Sequence, residues 1–153
     1  MPALSPGSPA PALDLPALGG GRATLTPGRR AIVYFYPKAM TGGCTTEACD
    51  FQESLASLEG HGYDVVGVSP DGMEALEQFA QEQGLTFTLA SDPGAVTARE
   101  WGAFGEKVKD GVVTEGLIRS TVVVDEDGTV LEAMYGVDAA GHVAQVRERL
   151  GIG

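Results

Sequence analysis

The sequence predicts an α/β chain with a central mixed sheet flanked by helices. Short apolar strand-like runs alternate with segments whose apolar residues recur every three or four positions. Near the end, STVVVDEDGTVLEAMYG, Ser120 to Gly136, places two strand-like runs around an Asp127-Gly128 turn, and the strands of such a hairpin are antiparallel. With 153 residues, 43% of them hydrophobic, the chain has material for a single domain with its own core.

The elements follow in order. The N-terminal stretch, MPALSPGSPAPALDLPALGG, holds five of the nine prolines before Leu18. Proline has no amide proton and a fixed φ, so residues 1–18 are expected to be extended or loosely attached. Arg22 to Leu25 can pair in a short hairpin. AIVYFY, Ala31 to Tyr36, reads as a buried strand stopped by Pro37. Thr45 to Gly60 reads as a helix, with Ala48, Phe51, Leu55 and Leu58 on one face. Asp64 to Ser69 is the next strand. Met73 to Gln83 is helical and closed by Gly84, and Thr86 to Leu89 is a short strand. Asp92 caps a helix that opens with Pro93 and carries Val96 and Trp101. Ala103 to Gly116 is polar and glycine-containing, a loop or weak ribbon. Ala139 to Leu150 is the last helix. This order suits a thioredoxin-like fold, although composition alone does not select it over a small flavodoxin-like one.

Lys and Arg total 10 against 21 Asp and Glu, a formal charge of -11. Such a surface repels phosphate backbones, which argues against nucleic acid as a partner. No apolar run approaches the length of a membrane span. The N-terminus lacks the basic region and unbroken apolar core of a signal peptide, so the cytoplasm is the expected location. No Gly-x-Gly-x-x-Gly supports a nucleotide cofactor. Two histidines, His61 and His142, lie far apart in sequence, which speaks against a structural metal site.

The chemistry centres on the only two cysteines, Cys44 and Cys49, five residues apart after the first long strand. In a reducing compartment such a pair is more often catalytic or metal-binding than structural. Cys44 falls where strand gives way to helix, and a helix start offers free amide protons and a dipole end that favour a thiolate, the reactive form. Five helical residues give about 7.5 Å of rise and about 140° of rotation. A disulfide needs Cα atoms roughly 4.4–6.8 Å apart with facing Cβ atoms, so this pair can bond only if the helix unwinds locally. Spacing alone leaves open two unrelated buried thiols.

The longer run FYPKAMTGGCTTEAC resembles FYPKDxTPGCTxEAC of the peroxiredoxins, specifically the peroxiredoxin Q or bacterioferritin comigratory protein subfamily. Its signature Pro-x3-Thr-x2-Cys stands here as Pro37, Thr41 and Cys44. GLIRSTVVVDEDG is similar to the family's GxxRxTFxIDxxG and carries its arginine at Arg119; VVGVSPD, FAQEQGLTFTLASDP and WGAFGEK also match in order. The resemblance runs from about Ala12 to Leu150 and implies a thioredoxin-like fold and a thiol peroxidase. It implies Cys44 as the peroxidatic thiol and Cys49 as the resolving one, with hydrogen peroxide and small alkyl hydroperoxides as substrates and thioredoxin or a similar dithiol as reductant. Members are often monomers, and nothing in the sequence marks an interface. Ala39 stands where the family usually has Asp, Gly42 where it has Pro, and Gln52 where it often has Arg. The first two lie in the loop that positions the thiolate and bear on rate rather than reaction type.

On this reading Arg119, cationic at any working pH, draws charge toward the sulfur and a peroxide oxygen. The Thr41 hydroxyl positions the peroxide between thiolate and arginine, the backbone amides of Gly43 and Cys44 add donors, and Pro37 shapes the pocket. Glu47, three residues on, offers charge to the helix start; a like charge beside a thiolate speaks against it as a proton-transfer group. The rival class is a redox-gated binding module whose helix melts on oxidation. It explains the cysteine spacing but gives Thr41 and Arg119 no work.

Overall fold

The architecture is that of a computed structural model, which describes residues 3–152. Its five-stranded sheet is built from β3 (Arg30–Phe35), β4 (Tyr63–Ser69), β5 (Thr88–Ser91), β8 (Ser120–Val124) and β9 (Val130–Tyr135), in the order β5-β4-β3-β8-β9. β4 runs parallel to β3 and to β5, while β8 is antiparallel to β3 and to β9. The sheet is therefore mixed, as hairpin plus crossovers require. The helix α1 (Gly42–Gly60) connects β3 to β4 and α2 (Met73–Gln83) connects β4 to β5.

β3 is apolar from Ala31 onward because both of its faces are covered there. Ile32, Tyr34 and Tyr36 point into a core with Phe51, Leu58, Phe79 and Val146. Val33 and Phe35 point the other way, into a second core with Leu15, Val122 and Trp101. The alternation is the period-two geometry of a strand. Gly67 in β4 is needed for this packing: a Cβ there would lie 2.9 Å from the Tyr34 hydroxyl and 3.0 Å from its ring.

From residue 3 on, where it is described, the proline-rich segment is extended but not loose; residues 1 and 2 lie outside the described residues. β1 (Asp14–Pro16) pairs with β2 (Arg22–Thr24), Leu13 and Leu15 are buried, and the Gly7 and Ala10 amides donate to Val130 and Gly128 carbonyls. Proline removes donors, and the segment uses the donors that remain. The polar stretch after Trp101 is an ordered ribbon, β6 (Phe104–Lys109) with β7 (Val112–Leu117), turning through Asp110 and Gly111 at φ 53° and 78°. It reads poorly because most of β7 faces water, so no alternation marks it. The short strand lies at Thr88–Ser91 rather than Thr86 to Leu89. After it, Pro93–Ala95 forms a 3-10 turn before α3 (Val96–Glu100), and the buried Asp92 carboxylate accepts the Thr97 and Ala98 amides at 3.0 and 2.9 Å. The last helix, α4 (His142–Leu150), begins three residues late because Gly141 sits at φ 77°.

Candidate active site

Cys44 lies near the sheet's switch point, where β3 has a parallel neighbour on one side and an antiparallel one on the other. Crevices beyond the carboxyl ends of strands at such points are the usual ligand sites of α/β sheets. The chain leaves β3 through Pro37 and enters α1 at Gly42, three residues before the expected start at Thr45. Two glycines lower helix propensity and hid this turn. Cys44 is thus the third helical residue rather than a junction residue, and it is only 1% exposed.

Thr41 is the N-cap of α1, with φ -81° and ψ 157°, and makes no side-chain cap bond. Its hydroxyl donates to the Lys38 carbonyl at 2.9 Å, while its own carbonyl accepts the Thr45 amide at 2.9 Å. Since the side chain does not cap the first turn, the amides of Gly43 and Cys44 remain free of it. Its hydroxyl proton is thus engaged with the Lys38 carbonyl, and its lone pairs stay available as acceptors.

Arg119 reaches in from the residue before β8. Its Nη2 donates to Cys44 Sγ at 3.1 Å and its Nη1 to Glu47 Oε1 at 2.6 Å. A Cβ at residue 43 would lie 3.2 Å from Arg119 Nη2, so the glycine lets the guanidinium close on the helix start. Pro37 and Arg119 share the wall of an open groove of about 810 Å³ with Ile118, Tyr135 and Val137. Cys49 is partly buried on another face of α1, its thiol 3.5 Å from Gln83 Oε1. Both thiols are free. The structure thus brings Arg119 onto Cys44 against Gly43, sets Pro37 beside Arg119 in the groove wall, places Thr41 at the N-cap of the same helix, and leaves Cys49 on another face of it.

Glu47 was legible only as a charge near the helix start. It lies in the second turn, fully buried, with Oε1 on Arg119 and Oε2 without a partner. Burial pushes its carboxyl up from 4.5 to about 7, against the opposing pull of Arg119. The folded state therefore favours the protonated acid. Stability from this group is present below pH 4.5 and is lost as pH rises through about 7. Glu47→Gln should remove that loss: urea midpoints across the window should fall for the parent more than for the variant. Parallel profiles would show that the carboxylate is buried at no cost.

A second buried pair steadies the same region. His142 Nε2 and Thr121 Oγ1 share a hydrogen bond of 2.7 Å, and the imidazole meets the Phe51 ring edge-on. Burial lowers the histidine's pKa and so favours its neutral form. Among the described residues no group of three or more His, Cys, Asp or Glu could hold a metal. Nor is any helix there long and apolar enough to cross a membrane.

Comparison with known proteins agrees along nearly the whole length. The AhpC/TSA family model matches residues 6–133. A peroxiredoxin of Mycobacterium tuberculosis H37Rv is 50% identical over 151 residues, covering 97% of this chain and 96% of that one. Peroxiredoxin Bcp of Escherichia coli K12 is 40% identical over 144 residues, covering 93% and 92%. Among solved structures, a cysteine-to-serine variant of Xanthomonas campestris peroxiredoxin Q has a TM-score of 0.86 at 34% identity, covering 97% of this chain and 96% of that one. The bacterioferritin comigratory protein of the same organism, studied for its alkyl peroxide reduction, has a TM-score of 0.85 at 33% identity, covering 97% and 96%. Likeness of that degree, in sequence and in a thioredoxin-like fold, makes the chain a member of the AhpC/TSA family, a peroxidase of the peroxiredoxin Q or bacterioferritin comigratory protein kind.

Proposed function

We propose that this peroxidase works as a single domain through Cys44 and Cys49 in two chemical steps. The Cys44 thiolate attacks the terminal oxygen of a hydroperoxide; the O–O bond breaks, and the departing oxygen takes a proton to leave as water or an alcohol. Cys44 is then a sulfenic acid. The Cys49 thiol displaces its hydroxyl as water and forms the disulfide, which an external dithiol reduces by exchange. The single observation that carries this reading is Arg119 Nη2 at 3.1 Å from Cys44 Sγ in the first turn of α1. A fixed cation there stabilises the charge that moves onto the departing oxygen. Pro37 shapes the mouth, and the Thr41 lone pairs and the Gly43 and Cys44 amides receive the peroxide. The groove along Ile118, Tyr135 and Val137 gives an apolar surface for a small alkyl group, so alkyl hydroperoxides join hydrogen peroxide as substrates. Thioredoxin or a similar dithiol is the reductant, the enzyme acts as a monomer, and the cytoplasm is its compartment.

The second step requires α1 to open. Both cysteines lie on one continuous helix, and its geometry holds them too far apart and turned away. The opening has a natural limit at Gln52. Its Oε1 accepts the Thr86 amide and its Nε2 donates to Thr86 Oγ1, both at 2.8 Å, clamping the helix to the segment before β5. Oxidation should therefore speed hydrogen exchange from Thr45 to Phe51 and leave the helix beyond Gln52 protected. Equal protection of Thr45 to Phe51 in both redox states would rule out closure within one chain.

A further inference from the structure

The loop from Pro37 to Thr41 is the only covalent link between β3 and the helix that carries Cys44, and it is pinned by a residue outside the signature. Asp71 lies two residues past the end of β4. Its Oδ2 accepts the Ala39 amide at 2.6 Å and the Ser69 hydroxyl at 2.9 Å. Its amide donates to Ser69 Oγ at 3.3 Å, and its carbonyl accepts the Ser91 hydroxyl at 2.6 Å. Ser69 ends β4 and Ser91 ends β5, so the carboxyl ends of the three parallel strands are joined through Asp71. Both serines are buried.

The next residue, Met40, has φ 64°. A residue with a side chain holds that left-handed conformation only where its surroundings impose it. The Ala39 bond fixes the chain just before the turn, and the Thr41–Lys38 bond closes it just after. The turn sets the direction in which Thr41 starts α1. Arg119 arrives independently, from β8 on the other side of β3. Its contact with Cys44 Sγ therefore depends on where the loop delivers the helix.

We propose that Asp71 is a positioning residue for peroxide attack, its carboxylate holding the Ala39 amide so that Thr41 and the first turn of α1 meet Arg119 in register. A carboxylate suits the task, because two donors converge on one oxygen and a charged acceptor binds both more firmly than a neutral one. This inference rests on the reading of Cys44 as the attacking thiol.

The test uses the full chain with Cys49→Ser, so that the first step is seen alone. Rapid mixing with hydrogen peroxide gives the rate of Cys44 oxidation, and urea unfolding gives stability. Asp71→Ala should slow attack about ten- to a hundredfold, the range expected for displacement on the scale of an ångström. Asp71→Asn keeps an oxygen in the same place and should recover most of the rate. Val124→Ala truncates a buried side chain at the far end of β8 and serves as a control for lost stability; its attack rate should match the parent's. Attack by a folded Asp71→Ala variant within about twofold of the parent, or equal slowing by Val124→Ala at equal loss of stability, would overturn the proposal. If Asp71→Ala does not fold, Asp71→Ser replaces it: a short hydroxyl can still serve Ser69 but falls short of Ala39, and the same two outcomes decide. A Cys49→Ser parent that does not oxidise at Cys44 would instead sink the reading of Cys44 itself.

Discussion

Cys44→Ser should abolish peroxidase turnover, lowering it by at least about four orders of magnitude, as removal of a nucleophile does elsewhere. The serine hydroxyl does not ionise at working pH, and oxygen cannot form the sulfenic acid on which the second step depends. The loss should come with little change in stability. Serine fills nearly the same space and still offers Arg119 Nη2 an acceptor, so a shift within about 1 kcal/mol is expected. Cys49→Ser should behave differently: it should oxidise once at Cys44 at the parental rate and then stall. Steady-state peroxide consumption with a dithiol, set beside a single-turnover trace, separates the two. Substantial turnover by folded Cys44→Ser would move the chemistry off this thiol.

Arg119→Leu should slow peroxide attack about a hundred- to a thousandfold, the cost of removing one donor aimed at developing charge. It should also destabilise the fold, since Glu47 would stay buried without its cation. That second effect should depend on pH. The Glu47 carboxyl is already pushed up to about 7 beside Arg119, and without the guanidinium it can be relieved only by protonation. Destabilisation should thus be smallest on the acid side and grow as pH rises. Adding Glu47→Gln to Arg119→Leu removes the stranded carboxylate and should restore stability but not rate. Arg119→Lys should fall between parent and Leu, because one ammonium cannot span Sγ and Oε1 as the planar fork does. If the double variant regained the parental rate, Arg119 would be structural.

Much of this was legible in the residues, and the parts that were not share physical causes. β3 and the hairpin of β8 and β9 are strong local signals: an unbroken apolar run, and an Asp-Gly turn between β-branched runs. Weak local signals cost boundaries. Gly42 and Gly43 disguised the first turn of α1, and Gly141 delayed α4. β7 has no buried face to pattern it, and the proline-rich segment is held by partners more than a hundred residues away. The site divides in the same way. Cys44, Thr41 and Pro37 share one local motif, and Arg119 is reached through the resemblance. That Arg119 spans Cys44 and Glu47 is a tertiary fact, as is the bond from Asp71 to Ala39 across 32 residues. No periodicity marks a carboxylate that works through another residue's amide.

The most direct measurement is a mass map of the two thiols after one equivalent of hydrogen peroxide. Reduced parent and Cys49→Ser would be mixed with peroxide, quenched within the first turnover in the presence of a sulfenic-acid trap, digested and read by peptide. The expected result is an intrachain Cys44–Cys49 disulfide in the parent, and a trapped sulfenic acid on Cys44 alone in Cys49→Ser. An adduct missing from Cys44, or oxidation that begins at Cys49, would contradict the assignment of Cys44 as the thiol that meets the peroxide.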